Sequence, residues 1–166
     1  MTKVPVPPQL GHNLLIALEN NPNCLNMINI IVAEIPRLQD RFFTLIHCCP
    51  TIYWEHGGGE VQEVRQTAGS VYAAEKKEFQ ATRDYFVQAR AVLEAAGVSP
   101  SHIQIKTAVD QNSLREATVL ELKQGQYSGV ILAKCHASIA SRVRGQSIMD
   151  IFRQIPRVTV WEIECC

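Results

Sequence analysis

Tyr127-Ser-Gly-Val-Ile-Leu-Ala-Lys-Cys-His136 and, a few residues on, Arg142-Val-Arg-Gly-Gln-Ser-Ile-Met-Asp-Ile-Phe152 form the stretch on which the fold turns. Val130–Ala133 reads as a short apolar strand that runs into a basic loop. Gly145 then opens an amphipathic helix marked by Ile148, Ile151, Phe152 and Ile155, and Pro156 ends it. Strand, loop and helix in that order build an anion site. The free N–H groups of a helix start face a loop that can approach a phosphate.

Working outward, the same alternation of strand and helix fills the chain. Asn13–Leu18 is a continuous apolar run and reads as a strand buried on both faces. Glu19-Asn-Asn-Pro-Asn23 is turn chemistry, with Pro22 suited to a first helical turn. Leu25, Ile28, Ile31, Val32 and Ile35 then recur at helical spacing up to Pro36. Phe42–His47 is the second strand. Phe79, Thr82, Phe86, Ala89, Leu93 and Ala96 mark one apolar face of a long helix, capped by Gly97 and stopped by Pro100. Ile103–Val109 alternates as a third strand. Leu114, Ala117, Leu120 and Glu121 mark a helix that ends near Gly125, and Val158–Ile163 is the last strand. Strands separated by helices predict an α/β fold: a five-stranded parallel sheet with right-handed crossovers and helices on both faces. Ligands of such sheets bind beyond the carboxyl ends of the strands, where the strand order reverses. Glu19, His47 to Cys49 and Ala133 to His136 are expected around that crevice.

One domain spanning residues 1–166 is expected from the length. Residues 1–11 read as an extended tail. Residues 48–70, with Pro50, Gly57-Gly-Gly59 and Gly69, read as a flexible connection or lid. Lys plus Arg equals Asp plus Glu at 16 each, so a dedicated nucleic-acid or membrane-surface binder is not expected. No apolar run reaches the ~20 residues that span a bilayer. The first residues, Met-Thr-Lys-Val-Pro-Val-Pro-Pro, lack the apolar stretch of a signal peptide, and a cytoplasmic location follows as the expectation. The six cysteines then read as reduced thiols.

The order of these pieces resembles the universal stress protein family over roughly residues 12–164. Leu14-Leu-Ile-Ala-Leu-Glu19 resembles its first strand, which ends in Asp in the family. Leu45-Ile-His47 resembles its Leu-Leu-His second strand, Leu93-Glu-Ala-Ala-Gly-Val98 the end of its long second helix, and Ile155-Pro-Arg-Val-Thr-Val160 its closing segment. The resemblance implies strand order 3-2-1-4-5 and a homodimer joined through the last strand. In that order Val158, Val160 and Trp161 form an apolar edge that an isolated chain would leave exposed.

The ATP-binding branch of the family carries Gly-x-x-Gly and then Gly-Ser or Gly-Thr at a set distance. Here Ala133 and His136 stand at the first two glycine positions. Eight residues separate His136 from Gly145, one fewer than in the family, and Gln146 takes the hydroxyl position, with Ser147 one place late. Side chains at both glycine positions crowd a triphosphate. Lys134, His136, Arg142 and Arg144 offer positive charge to an anion at the Gly145 helix start, or form a solvated basic loop. The candidate ligand set is Glu19, Phe43, Ala133, Lys134, His136, Arg142, Arg144, Gly145, Gln146 and Ser147. ATP or another phosphate-bearing small anion is the ligand class; no catalytic or metal-binding residue is assigned.

The expected function is a stress-related, ligand-sensing protein without robust catalysis. An ATP-binding protein with weak hydrolysis and a thiol-based redox sensor using Cys135 are the alternatives. His47, Cys48, Cys49, Cys135 and His136 are zinc-type ligands. Adjacent cysteines on a strand point to opposite faces, however, and no Cys-x-x-Cys pair is present, so packed thiols are the simpler reading.

Overall fold

The computed structural model describes residues 8–18, 23–48, 83–108, 114–134, 152 and 155–164. They form a five-stranded sheet from β1 (Asn13–Ala17), β2 (Phe42–Cys48), β3 (Ile103–Ala108), β4 (Gly129–Lys134) and β5 (Thr159–Glu164). Every adjacent pair is parallel, and the order is β3-β2-β1-β4-β5, the order that the resemblance implies. Three helices are described: α1 (Asn23–Glu34), α2, whose described part covers 83–95, and α3 (Leu114–Gln124). Phe152 is helical as well. The tail residues 1–7, Glu19, the connection from 49 to 70, and His136, Arg142, Arg144, Gly145, Gln146 and Ser147 lie outside the described residues.

Right-handed crossovers explain the layers. From β1 to β2 to β3 the chain steps one way across the sheet; from β3 to β4 to β5 it steps the other way. The two sets of helices must therefore cover opposite faces. The packing follows this division. Leu14, Ile16 and Leu18 of the β1 segment join one cluster with Ile28 and Ile31 of α1 and Phe86, Ala89 and Leu93 of α2. Leu15 and Ala17 join the other, with Ala117 and Leu122 of α3 and Phe152. Both faces of β1 are thus apolar, as expected for a central parallel strand.

Local chemistry sets the element ends. The C-terminus of α2 is a Schellman motif: Val98 N–H donates to Leu93 O (3.1 Å) and Gly97 N–H to Glu94 O (2.9 Å), with Gly97 at φ 94°. The cap expected at Gly97 is found. After α1, Arg37 adopts the left-handed region (φ 53°), and a 3-10 turn over Leu38–Asp40 leads into β2. Arg41 ties the amino end of the sheet together, its Nη1 donating to the carbonyls of Leu10 and Gly11. Gly129 opens β4 where a Cβ would stand 2.9 Å from both Leu10 Cδ2 and Leu14 Cδ2.

One expectation needs correction. Trp161 is not left exposed at an apolar edge: it is 3% accessible within the single chain, in the cluster with α1 and α2. The reason is the period of two along β5. Trp161 and Ile163 face one helical layer, while Val158 and Val160 face the α3 layer and stay half-buried. The helix marked by Leu114, Ala117, Leu120 and Glu121 is found as α3, which buries Ala117, Thr118 and Leu122 and leaves Leu120 41% exposed.

Since Trp161 is buried by its own chain, Trp161→Ala should cost about 3–5 kcal/mol of folding stability. Denaturant unfolding at several protein concentrations checks this. The loss should be the same at each; a loss seen only where chains associate would place Trp161 in a contact between copies.

Candidate functional site

The strand order reverses between β1 and β4, and this junction defines the crevice. β1 ends at Ala17, opposite Leu132 of β4. Leu18 is buried and its N–H still donates to Ile46 O of β2 (3.1 Å). β4 runs two residues further, pairing Ala133 with Ile163 and Lys134 with Glu164 of β5. Among the described residues, β4 past Leu132 is paired on the β5 side only, as far as Lys134, its last residue. This is the geometry in which doubly wound folds receive a ligand.

Of the candidate ligand residues, Ala133 is half-buried against the α1–α2 cluster at this junction. Lys134 is the last residue of β4. Phe43 is elsewhere. It is 1% exposed, second in β2, and pairs with Leu14 and Ile103 near the amino ends of their strands. His47 lies four positions further along β2, about 13 Å at strand rise. It belongs to the core, because Phe43 and Leu45 share the β2 face that α1 and α2 cover. At the carboxyl end of β2, the His47 ring lies 5.2 Å from the Phe86 ring of α2, and Cys48 pairs with Ala108. Among the described residues no group of three or more His, Cys, Asp and Glu side chains could hold a metal ion.

A second polar constellation lies on the α3 face of the sheet. Lys106 Nζ of β3 sits 2.6 Å from Glu121 Oε1 of α3, and the Tyr127 hydroxyl donates to the same oxygen at 2.5 Å. Tyr127 also bonds to the hydroxyl of Thr44, which is buried on β2. The Glu121 hydrogen bond raises the pKa of Lys106. Burial pushes Glu121 upward, but the hydrogen bonds from Lys106 and Tyr127 outweigh it and hold the carboxyl below its ordinary value. Burial first, and then the bond to Glu121, raise Tyr127. Beside this network, between α3 and β3, lies an open groove of about 250 Å³. Reading the sequence missed the cluster because its members come from four segments with no motif spacing. The one signal was an ionisable Lys106 inside an alternating strand.

No family model matches the sequence, and no curated protein matches it either. Solved structures do. A universal stress protein crystallised in complex with cAMP superposes with TM-score 0.55 at 13% identity, covering 95% of this chain and 100% of the other. The universal stress protein UspA from Lactobacillus plantarum gives 0.55 at 12%, covering 92% and 97%. A universal stress protein family member from Burkholderia pseudomallei gives 0.55 at 14%, covering 95% and 98%. The chain has the universal stress protein fold over nearly its whole length.

The network's effect on stability has a defined pH window. Glu121 is depressed, so its contribution is present above the ordinary carboxyl pKa and is lost as pH falls through the lower folded value. Lys106 and Tyr127 are raised, so theirs is present below their ordinary values, near 10, and is lost as pH rises through the folded ones. Glu121→Ala removes the acceptor shared by both partners and should cost about 1–2 kcal/mol at neutral pH, discounted because Lys106 is partly exposed. Urea unfolding across pH should show the wild-type advantage over Glu121→Ala shrinking at both acid and alkaline ends.

Proposed function

We propose that the chain is a regulatory stress-response protein that holds a small phosphate-bearing ligand at the β1/β4 junction and carries no robust catalysis of its own. The observation behind this reading is the reversal of strand order at β1 and β4, with β4 ending in Lys134. The sequence continues from there through His136, Arg142 and Arg144 to the helix start expected at Gly145. Positive charge and free helix N–H groups at such a place suit a phosphate. That a protein of the same fold was crystallised with cAMP supports a nucleotide-sized anion as the ligand.

ATP itself is the poorer fit. Ala133 places a Cβ at the first glycine position, and its backbone is committed to pairing with Ile163. The loop is one residue short and lacks the hydroxyl residue after Gly145. Calorimetry with Mg-ATP should give no binding tighter than about 100 μM, roughly −5.5 kcal/mol. A low-micromolar value would favour the ATP-binding alternative with weak hydrolysis. Parallel titration with cAMP and inorganic phosphate shows whether a smaller anion is accepted; no binding of any of the three defeats the ligand reading.

The same proposal includes a homodimer through β5. This strand is at one end of the sheet, with no further strand beside it among the described residues. Thr159 N–H donates inward to Ser128 O (3.1 Å), so the alternating backbone turns the Val160 N–H outward. Pro at Val160 should remove a donor to the second copy and leave pairing with β4 intact, whereas Pro at Thr159 should damage the sheet itself. Sedimentation should show a dimer for the native protein at tens of micromolar and a shift toward monomer for Val160→Pro. A native monomer refutes the interface.

A further inference from the structure

The groove between α3 and the edge strand β3 is separate from the β1/β4 junction, and its chemistry is of another kind. Ile46, Ala108, Ala117 and Leu120 give it an apolar lining, and Lys106 and Glu121 line it as well. At about 250 Å³ it takes a single ring with a small substituent, displacing roughly eight waters at ~30 Å³ each.

The ion pair decides what kind of ligand enters. Lys106 and Glu121 neutralise each other at 2.6 Å. A charged ligand would give up hydration beside an apolar lining and meet no net counter-charge, which disfavours anions and cations alike. Hydrogen-bonding capacity nevertheless remains on both members. An ammonium has three N–H donors, and among the described residues the Lys106 ammonium is bonded only to Glu121 and Tyr127. Glu121 accepts Lys106 and Tyr127 on Oε1, while Oε2 accepts nothing among the described residues. A spare donor and a spare acceptor thus belong to one neutral pair at the side of an apolar groove.

We propose that the α3–β3 groove binds an uncharged ring bearing an amide, with the ring on Ile46, Ala117 and Leu120, the carbonyl accepting from Lys106 and the N–H donating to Glu121 Oε2. An amide matches because it presents one acceptor and one donor side by side without charge. A ring with no such edge leaves both spare groups unpaired as it displaces their water, which is what makes a polar site selective. The proposal does not depend on the phosphate reading, since it uses no residue of the β1/β4 junction.

The test is a titration of the full, 15N-labelled chain with benzamide, against benzoate, benzylamine and anisole as ring-matched controls. Benzamide should shift the amide signals of Lys106, Leu120, Glu121 and Gln124, with a dissociation constant on the order of 1 mM and about tenfold weaker binding of each control. Ala108→Leu fills the groove without touching the ion pair and should abolish the shifts in a chain whose spectrum stays dispersed. Glu121→Gln leaves Lys106 uncompensated, so benzoate should then bind better than benzamide, a reversal that does not depend on the first variant folding. No shifts with benzamide at about 10 mM, ten times the expected constant, would overturn the proposal. So would shifts away from the groove, equal binding of anisole, or an unchanged order of preference in Glu121→Gln.

Discussion

Burial of β1 on all sides is the constraint from which the rest of this structure follows. Leu14, Leu15 and Ile16 are completely inaccessible, and Ala17 nearly so. A strand with apolar side chains on both faces needs a helical layer above and another below. Its backbone N–H and C=O groups, cut off from water, need a partner strand on each side. β2 pairs with it from Asn13 to Ala17 and β4 from Leu14 to Ala17. Once β1 is central, the two-way winding and the reversal of strand order beside it follow from crossover handedness. The crevice at the β1/β4 junction is therefore a by-product of burying one apolar pentapeptide. Each fully buried Leu or Ile contributes about 1.5–3 kcal/mol by leaving water, enough that no rearrangement of the crevice can afford to expose it.

The two helical layers are fastened differently. α1 and α2 sit on an apolar cluster that includes Phe43, Phe86 and Trp161, with the Schellman cap at Gly97 closing α2. The indole Nε1 of Trp161 is buried there with no hydrogen-bond partner among the described residues. α3 has a smaller apolar footprint, chiefly Ala117 and Leu122. It compensates with polar links: Glu121 binds Lys106 of β3 and Tyr127 ahead of β4, and Tyr127 reaches Thr44 of β2. Such a network positions the helix by direction and distance, where packing of small side chains alone leaves it free to slide. The groove beside it exists because Ala108, Ala117 and the outward-turned Leu120 leave the α3–β3 seam underfilled.

Much of the fold was legible in the sequence, and for identifiable reasons. The runs Leu14–Leu18 and Val130–Ala133 are apolar at every position, which only a strand covered on both faces tolerates in a short segment. Phe86, Ala89 and Leu93 recur at helical spacing and all three are buried. Gly97 was readable as a cap because a positive φ there suits glycine. The strand order came from the family resemblance, and the sheet has that order. The site was less legible. Glu19 and the loop residues from His136 to Ser147 lie outside the described residues, and Phe43 of the candidate set lies on the buried face of β2.

What the sequence determined by itself is local and periodic: which segments are strand or helix, where caps and prolines end them, and that alternation of the two requires a parallel, doubly covered sheet. Such properties depend on neighbours within a turn or a pleat. The tertiary structure decided the rest. It set the level of Phe43 along β2, the inward face of Trp161 on a strand that the order implied by the resemblance makes an apolar edge, and the meeting of Thr44, Lys106, Glu121 and Tyr127. Each of these depends on register between strands far apart in sequence. A shift of one residue there exchanges the two faces of a strand without changing a single amino acid.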